Sequence, residues 1–132
     1  MLYHFRTMED EISKKIIGAA IETHRVLGGP GLLESIYEEA LCHELSLQGL
    51  QCERQLIVPV KYKGVLITGS LFLDVLVENK VIIEIKATEL DNPIYQAQLL
   101  TYLRLSRKKL GLLLNFGRTQ LKDGICRVVN GL

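Results

Sequence analysis

The chain has 132 residues, 48% of them hydrophobic and 23% charged, proportions of one folded domain over residues 1–132 rather than of a disordered tail. Sixteen basic against fifteen acidic side chains leave a formal charge of +1, so any positive field for a polyanion must be local. Cys42, Cys52 and Cys126 form no C-x-x-C pair, which argues against a disulfide framework or a zinc knuckle and suits reduced thiols in a cytoplasmic protein.

Met1 to Lys15 mixes acids and bases without the apolar stretch of a signal peptide, and no later run is long enough to span a bilayer. From Glu9 to Leu27, Ile12, Ile16, Ile17, Ala20, Ile21 and His24 recur at helical spacing, and Gly28-Gly29-Pro30 ends the run. His24, among apolar positions, reads as a satisfied histidine at the core rim. A second helix is expected from about Gly31 to Leu47, with Leu33, Ile36, Tyr37, Ala40, Leu41 and Leu45 as its apolar face. From Cys52 the period drops to two, predicting a strand through Leu56, Val58, Val60 and Tyr62. Pro59 lacks an N–H, which assigns that strand to an edge or a bulge. Lys63-Gly64 marks a turn, Leu71 to Val77 a second strand, Glu78-Asn79-Lys80 a tight connection, and Val81 to Lys86 a third strand. Asn92 as cap and Pro93 at the first position start a helix that reaches about Ser106. Leu110 to Asn115 is apolar enough for a strand covered on both faces, and Ile125 to Val129 reads as a last strand. The order predicts a mixed sheet with helices against it.

The chemistry concentrates in the middle hairpin. Glu84 and Lys86 share one face of their strand with Ile82, while Ile83 and Ile85 take the other. Counting back through the turn brings Asp74 level with Glu84. Two carboxylates so placed repel unless a cation lies between them, and oxygen ligands suit Mg²⁺ or Mn²⁺. Lys86 beside them can orient a water or stabilise charge on a phosphate. The competing reading is a Glu84–Lys86 salt bridge on a solvated face. Elsewhere, Glu34 and Tyr37 are three apart on the second helix, and Gln98 and Tyr102 four apart on the third.

Together these residues resemble the GxxExxY proteins, a branch of the PD-(D/E)xK nuclease-like superfamily. The resemblance rests on Gly31-x-x-Glu34-x-x-Tyr37, on Asp74 followed by Glu84-x-Lys86, on Gln98-x-x-x-Tyr102, and on the Gly111-Leu112-Leu113-Leu114-Asn115-Phe116-Gly117 strand end. It implies a restriction-endonuclease-like α/β fold, a mixed sheet flanked by helices. It further implies Asp74, Glu84 and the Ile85 carbonyl as ligands of Mg²⁺ or Mn²⁺, with Glu34 completing the shell directly or through water. Lys86 is then the lysine that positions or activates water, Gln98 and Tyr102 support the site and the substrate backbone, and Gly31 and Tyr37 support the motif. The activity implied is phosphodiester hydrolysis in nucleic acid, DNA ahead of RNA; a homodimer is left open. Three departures stand out: Leu73 replaces the proline before the acid, Gly28-Gly29-Pro30-Gly31 carries an extra glycine, and Phe72 stands where many relatives are expected to have a base. Arg104, Arg107, Lys108 and Lys109 offer either a phosphate track or cations that offset a helix dipole. The alternative of another class is a noncatalytic nucleic-acid-binding or protein-interaction module on the same scaffold.

Overall fold

The computed structural model describes residues 7–132; residues 1–6, part of the N-terminal stretch read above, lie outside that description. Helix α1 covers Met8–Leu27, α2 Glu34–Leu47 and α3 Pro93–Ser106. Strands β1 (Cys52–Tyr62), β2 (Val65–Val77), β3 (Val81–Lys86), β4 (Leu110–Asn115) and β5 (Ile125–Val129) form one sheet in that order. Only β3 and β4 run parallel, joined by the crossover through α3. The expected mixed sheet with flanking helices is what forms. Among the described residues no helix is long and apolar enough to cross a membrane.

Each face of the sheet is covered by different helices. Ile16, Ala20, Tyr37 and Leu41 of α1 and α2 pack on Val75, Val77, Ile83, Ile85, Leu112 and Leu114. Leu99 and Leu103 of α3 pack on Leu73, Leu76, Ile82 and Leu113. The alternation read for β3 is thus obeyed. Gly111 is required at the α3 interface, since a Cβ there would meet the Leu99 side chain at 2.8 Å. His24, read as a rim histidine, is buried with Nε2 bonded to the carbonyls of Phe116 and Arg118 at 3.2 and 3.1 Å.

Two boundaries differ from the sequence reading. α2 begins at Glu34, not Gly31, because Gly31 has φ 109° and cannot be helical. β2 begins at Val65 rather than Leu71, directly after the Lys63-Gly64 turn, because pairing with β1 keeps residues 65–70 extended. β1 is the edge strand, and its register shifts between Pro59 and Lys61, so Pro59 sits both at an edge and beside an irregularity.

Candidate active site

Asp74 lies at a break in the sheet. On one side, Arg54 pairs with Val75 and Leu56 with Leu73, but Gln55 and Asp74 between them do not pair. On the other, the β2–β3 ladder runs from Val77–Val81 to Val75–Ile83 and stops before Asp74 and Glu84. The next pair in that register would be Asp74 with Glu84, the level that counting through the turn predicts. The break also switches faces: Leu71 and Leu73 pack toward α3, whereas Val75 and Val77 pack toward α1 and α2. Gln55 reaches this geometry with φ 50°, a region that a non-glycine residue enters at a cost. Its side chain is held in return: Gln55 Nε2 donates to Glu38 Oε1 at 2.9 Å, and Arg54 donates twice to Glu38 Oε2, at 3.1 and 2.9 Å.

Freed from the ladder, Asp74 turns its carboxylate to β3, where Oδ2 accepts the Ile85 N–H at 2.8 Å. Glu84 beside it is only 6% exposed, and its Oε1 is buried without a hydrogen-bond partner among the described residues. Burial first, then the neighbouring charge of Asp74 and the hydrogen bond between the two carboxyls, push Glu84 up to about 9. Lys86 and the Asp74 backbone pull the other way without prevailing. At neutral pH Glu84 therefore keeps its proton. A solvated-face salt bridge does not describe this pair: Glu84 is buried, and the Lys86 ammonium lies over the Tyr95 ring, 4.6 Å from its centroid.

α3 closes over this face of the sheet. Gln98 Nε2 donates to Tyr102 Oη at 2.7 Å, and the Tyr102 hydroxyl is pushed up by burial and then by the charges of Glu84 and Asp74. Tyr95, Gln98 and Tyr102 stand at i, i+3 and i+7, one helical face turned to the acids. Tyr95 escaped the sequence reading although that spacing contained it. Glu38, Arg54 and Gln55 escaped it because nothing in the local sequence marks a buried carboxylate clamp.

The second helix contributes differently from expectation. Tyr37 is buried, stacks on Phe116 with ring centroids 4.6 Å apart, donates to the Gly29 carbonyl at 2.8 Å and accepts the Leu32 N–H at 3.1 Å. It secures the glycine loop through Gly31. Phe116 N bonds the Lys86 carbonyl at 2.8 Å, so this loop sits at the same end of the sheet as Lys86. A cleft of about 510 Å³ opens there, lined by Pro30, Gly31, Ala87, Glu89, Gly117 and Arg118. Glu34, in the first turn of α2, is exposed. Among the described residues no three His, Cys, Asp or Glu side chains meet as a metal-holding group, so Glu34 is not gathered with Asp74 and Glu84. The physical reason is that α2 packs on the opposite face of the sheet from the one Glu84 shares with α3.

The basic cluster is also apart. Arg107 caps α3 in the left-handed region, and Lys108 Nζ bonds Asn79 Oδ1 at 3.1 Å, beside the β2–β3 turn. β4 starts opposite Val81 and ends opposite Lys86, so Arg107, Lys108 and Lys109 sit at the far end of β3 from Lys86, with Arg104 one turn back on α3. The strand end read as part of the motif has a structural explanation. Asn115 Oδ1 accepts from Thr88 N and Gly117 N at 3.0 and 2.9 Å, and its Nδ2 donates to Asp91 Oδ1 at 2.9 Å. A Cβ on Gly117 would lie 2.3 Å from the Thr88 carbonyl oxygen. These contacts fix the loop that follows Lys86.

A sheet of this topology, with two carboxyls and a lysine on adjacent strands, defines a restriction-endonuclease-like α/β domain. The family model described as "PD-(D/E)XK nuclease superfamily" matches residues 10–128, and the chain belongs to that superfamily. No curated protein matches it. Among solved structures, the "Crystal structure of SSO0001" is similar over 97% of this chain and 81% of that one, at 19% identity and a TM-score of 0.44.

Proposed function

We propose that the chain is a metal-dependent nuclease of the GxxExxY branch, hydrolysing phosphodiester bonds in nucleic acid, DNA ahead of RNA. The observation that carries this reading is Glu84, a buried carboxyl with an unpartnered oxygen beside Asp74. A core acid without a partner is costly to keep, and a divalent cation would satisfy it. In this reading Asp74, Glu84 and the Ile85 carbonyl hold Mg²⁺ or Mn²⁺, which when bound polarises the phosphodiester and acidifies a water. Glu84 must first release its proton, so binding is coupled to proton loss. Lys86, on the same face of β3, orients the attacking water, and Tyr95 holds the ammonium in place. Tyr102, aligned by Gln98, offers a phenol to the substrate backbone. Glu34 could join only through water, from the exposed first turn of α2. The placement of Glu34 and of the basic cluster favours the second reading, a noncatalytic binding module on the nuclease scaffold.

Calorimetry with Mn²⁺ and cleavage of labelled single- and double-stranded DNA and RNA test the proposal. Asp74→Ala and Glu84→Ala are expected to weaken Mn²⁺ binding at least tenfold and to abolish cleavage, and Lys86→Ala to abolish cleavage while keeping Mn²⁺. Cleavage that survives equally in Glu84→Ala and Lys86→Ala overturns the site. Mn²⁺ binding without cleavage of any substrate supports the second reading.

A further inference from the structure

Cys42 and Cys52 stand on the two elements that form the Glu38 clamp. Glu38 and Cys42 are one turn apart on α2, and Cys52 and Arg54 are alternate residues of β1. Cys52 lies opposite Val77 and Arg54 opposite Val75, so both turn to the face that α1 and α2 cover. The chain reverses at Gln48 and Gly49, where Leu50 N bonds the Leu45 carbonyl at 3.1 Å, and β1 returns past α2. Four helical residues advance about 6 Å, and two strand residues about 6.6 Å. With Arg54 held to Glu38 at 2.9 Å, these nearly equal steps toward the reversal bring Cys42 to Cys52. Both cysteines pack against the same core cluster and are half-buried. Cys126 packs against the other cluster, from β5 at the opposite edge of the sheet.

We propose that Cys42 and Cys52 are a redox-active dithiol, a modification site that closes to an intramolecular disulfide on reaction with a hydroperoxide. The proposal does not depend on the nuclease reading. No third His, Cys, Asp or Glu joins the two as a metal-holding group among the described residues, so the pair is left to its own chemistry.

The hydrogen bond between the thiols sorts their roles. It holds Cys52 below the ordinary thiol range, against burial and the charge of Glu78. The same hydrogen bond, then burial, then the charge of Cys52 push Cys42 up. Cys52 is therefore the thiolate that attacks. Its sulfur bonds one peroxide oxygen as the O–O bond breaks, and the other oxygen leaves with the proton that Cys52 lost. The sulfenic acid so formed is neutral, which lifts the charge that held Cys42 protonated. Arg54 favours the Cys42 thiolate more than Glu38 opposes it. The Cys42 sulfur then attacks the Cys52 sulfur: the S–S bond forms, the S–O bond breaks, and water departs with the Cys42 proton. The two sulfurs lose two electrons in all, and one peroxide gains them. The new bond would fasten β1 to α2 one rung from the clamp that holds Gln55.

Treating the full chain with hydrogen peroxide, then iodoacetamide, and mapping its peptides by mass spectrometry tests the proposal. The oxidised wild type is expected to be two hydrogens lighter, with Cys42 linked to Cys52 and only Cys126 alkylated. Dithiothreitol should restore the free thiols. Cys42→Ala should stop at a sulfenic acid on Cys52 that dimedone traps, and Cys52→Ala should leave Cys42 unoxidised. Circular dichroism should find both variants folded. Closing the loop from Cys42 to Cys52 should raise the wild type's folding equilibrium constant about 100-fold, read by urea unfolding with and without dithiothreitol. The proposal is overturned if both thiols are still alkylated after peroxide, or if the link runs through Cys126. An oxidised chain less stable than the reduced one also overturns it, since the bond would then not fit the folded geometry.

Discussion

The molecule buries two glutamates to almost the same depth, Glu38 at 5% and Glu84 at 6% exposure, and treats them oppositely. Glu38, between α2 and β1, has both oxygens occupied by Arg54 and Gln55. Glu84, between β3 and α3, faces another carboxyl and leaves one oxygen unbonded. A buried acid with partners on every side fixes structure; one denied partners is held ready for something that arrives later. The two are linked across the sheet. The clamp at Glu38 holds Gln55 in its left-handed conformation, directly across the break from Asp74, and that break frees Asp74 to approach Glu84.

Substitutions can break this contrast from either side. The largest effect is expected at Glu84. Unfolded, it ionises near its ordinary 4.5; folded, near 9. Below pH 4.5 both states carry the proton and the ionisation of Glu84 makes no contribution to stability. Between the two values the folded chain holds a proton that the unfolded chain has released, so stability falls as pH rises, and above 9 the penalty is complete. Glu84→Gln removes the titration and should stabilise the metal-free protein by about 5 kcal/mol at pH 8, with little change at pH 4, read by urea unfolding at the two pH values. The opposite sign is expected at Glu38. Glu38→Ala strands Arg54 and Gln55 and should cost about 2–3 kcal/mol, less than for a fully buried pair because Arg54 is partly solvated. Amide exchange at Ile85 should rise in the same variant if the clamp supports Asp74; unchanged exchange would separate the two regions. The smallest effect is expected at Tyr37→Phe, which deletes the hydroxyl bridging Gly29 and Leu32 and should cost about 1–2 kcal/mol in the same unfolding assay.

Much of this was legible in the chain. Asn92-Pro93 marked the start of α3, and the bounds of β3, β4 and β5 followed from apolar runs between turn residues. The level of Asp74 against Glu84 followed from the three-residue connection Glu78-Asn79-Lys80, with Glu78 and Asn79 at φ 52° and 55°, because so short a connection fixes register. What escaped depends on contacts distant in sequence. No glycine announces the left-handed residue in β1; Gln55 takes that conformation because Glu38, seventeen residues earlier, holds its side chain. The apolar face read for the second helix turned Tyr37 inward, but spacing could not say that Glu34, three residues earlier, would turn outward. Burial of Glu84 is likewise a property of α3 lying across β3, which no strand periodicity contains.

The contact of Gly117 with Thr88 has an evolutionary consequence. It joins the ends of the segment containing α3 and β4 at backbone level, with Asn115 as the knot. Between Thr88 and Asn92 the chain already returns to a fixed point, so lengthening the connection there costs only slowly growing loop entropy. Descendants of this scaffold are free to extend or resurface the helix above the acids, trading one bound molecule for another, while the strands below keep their spacing.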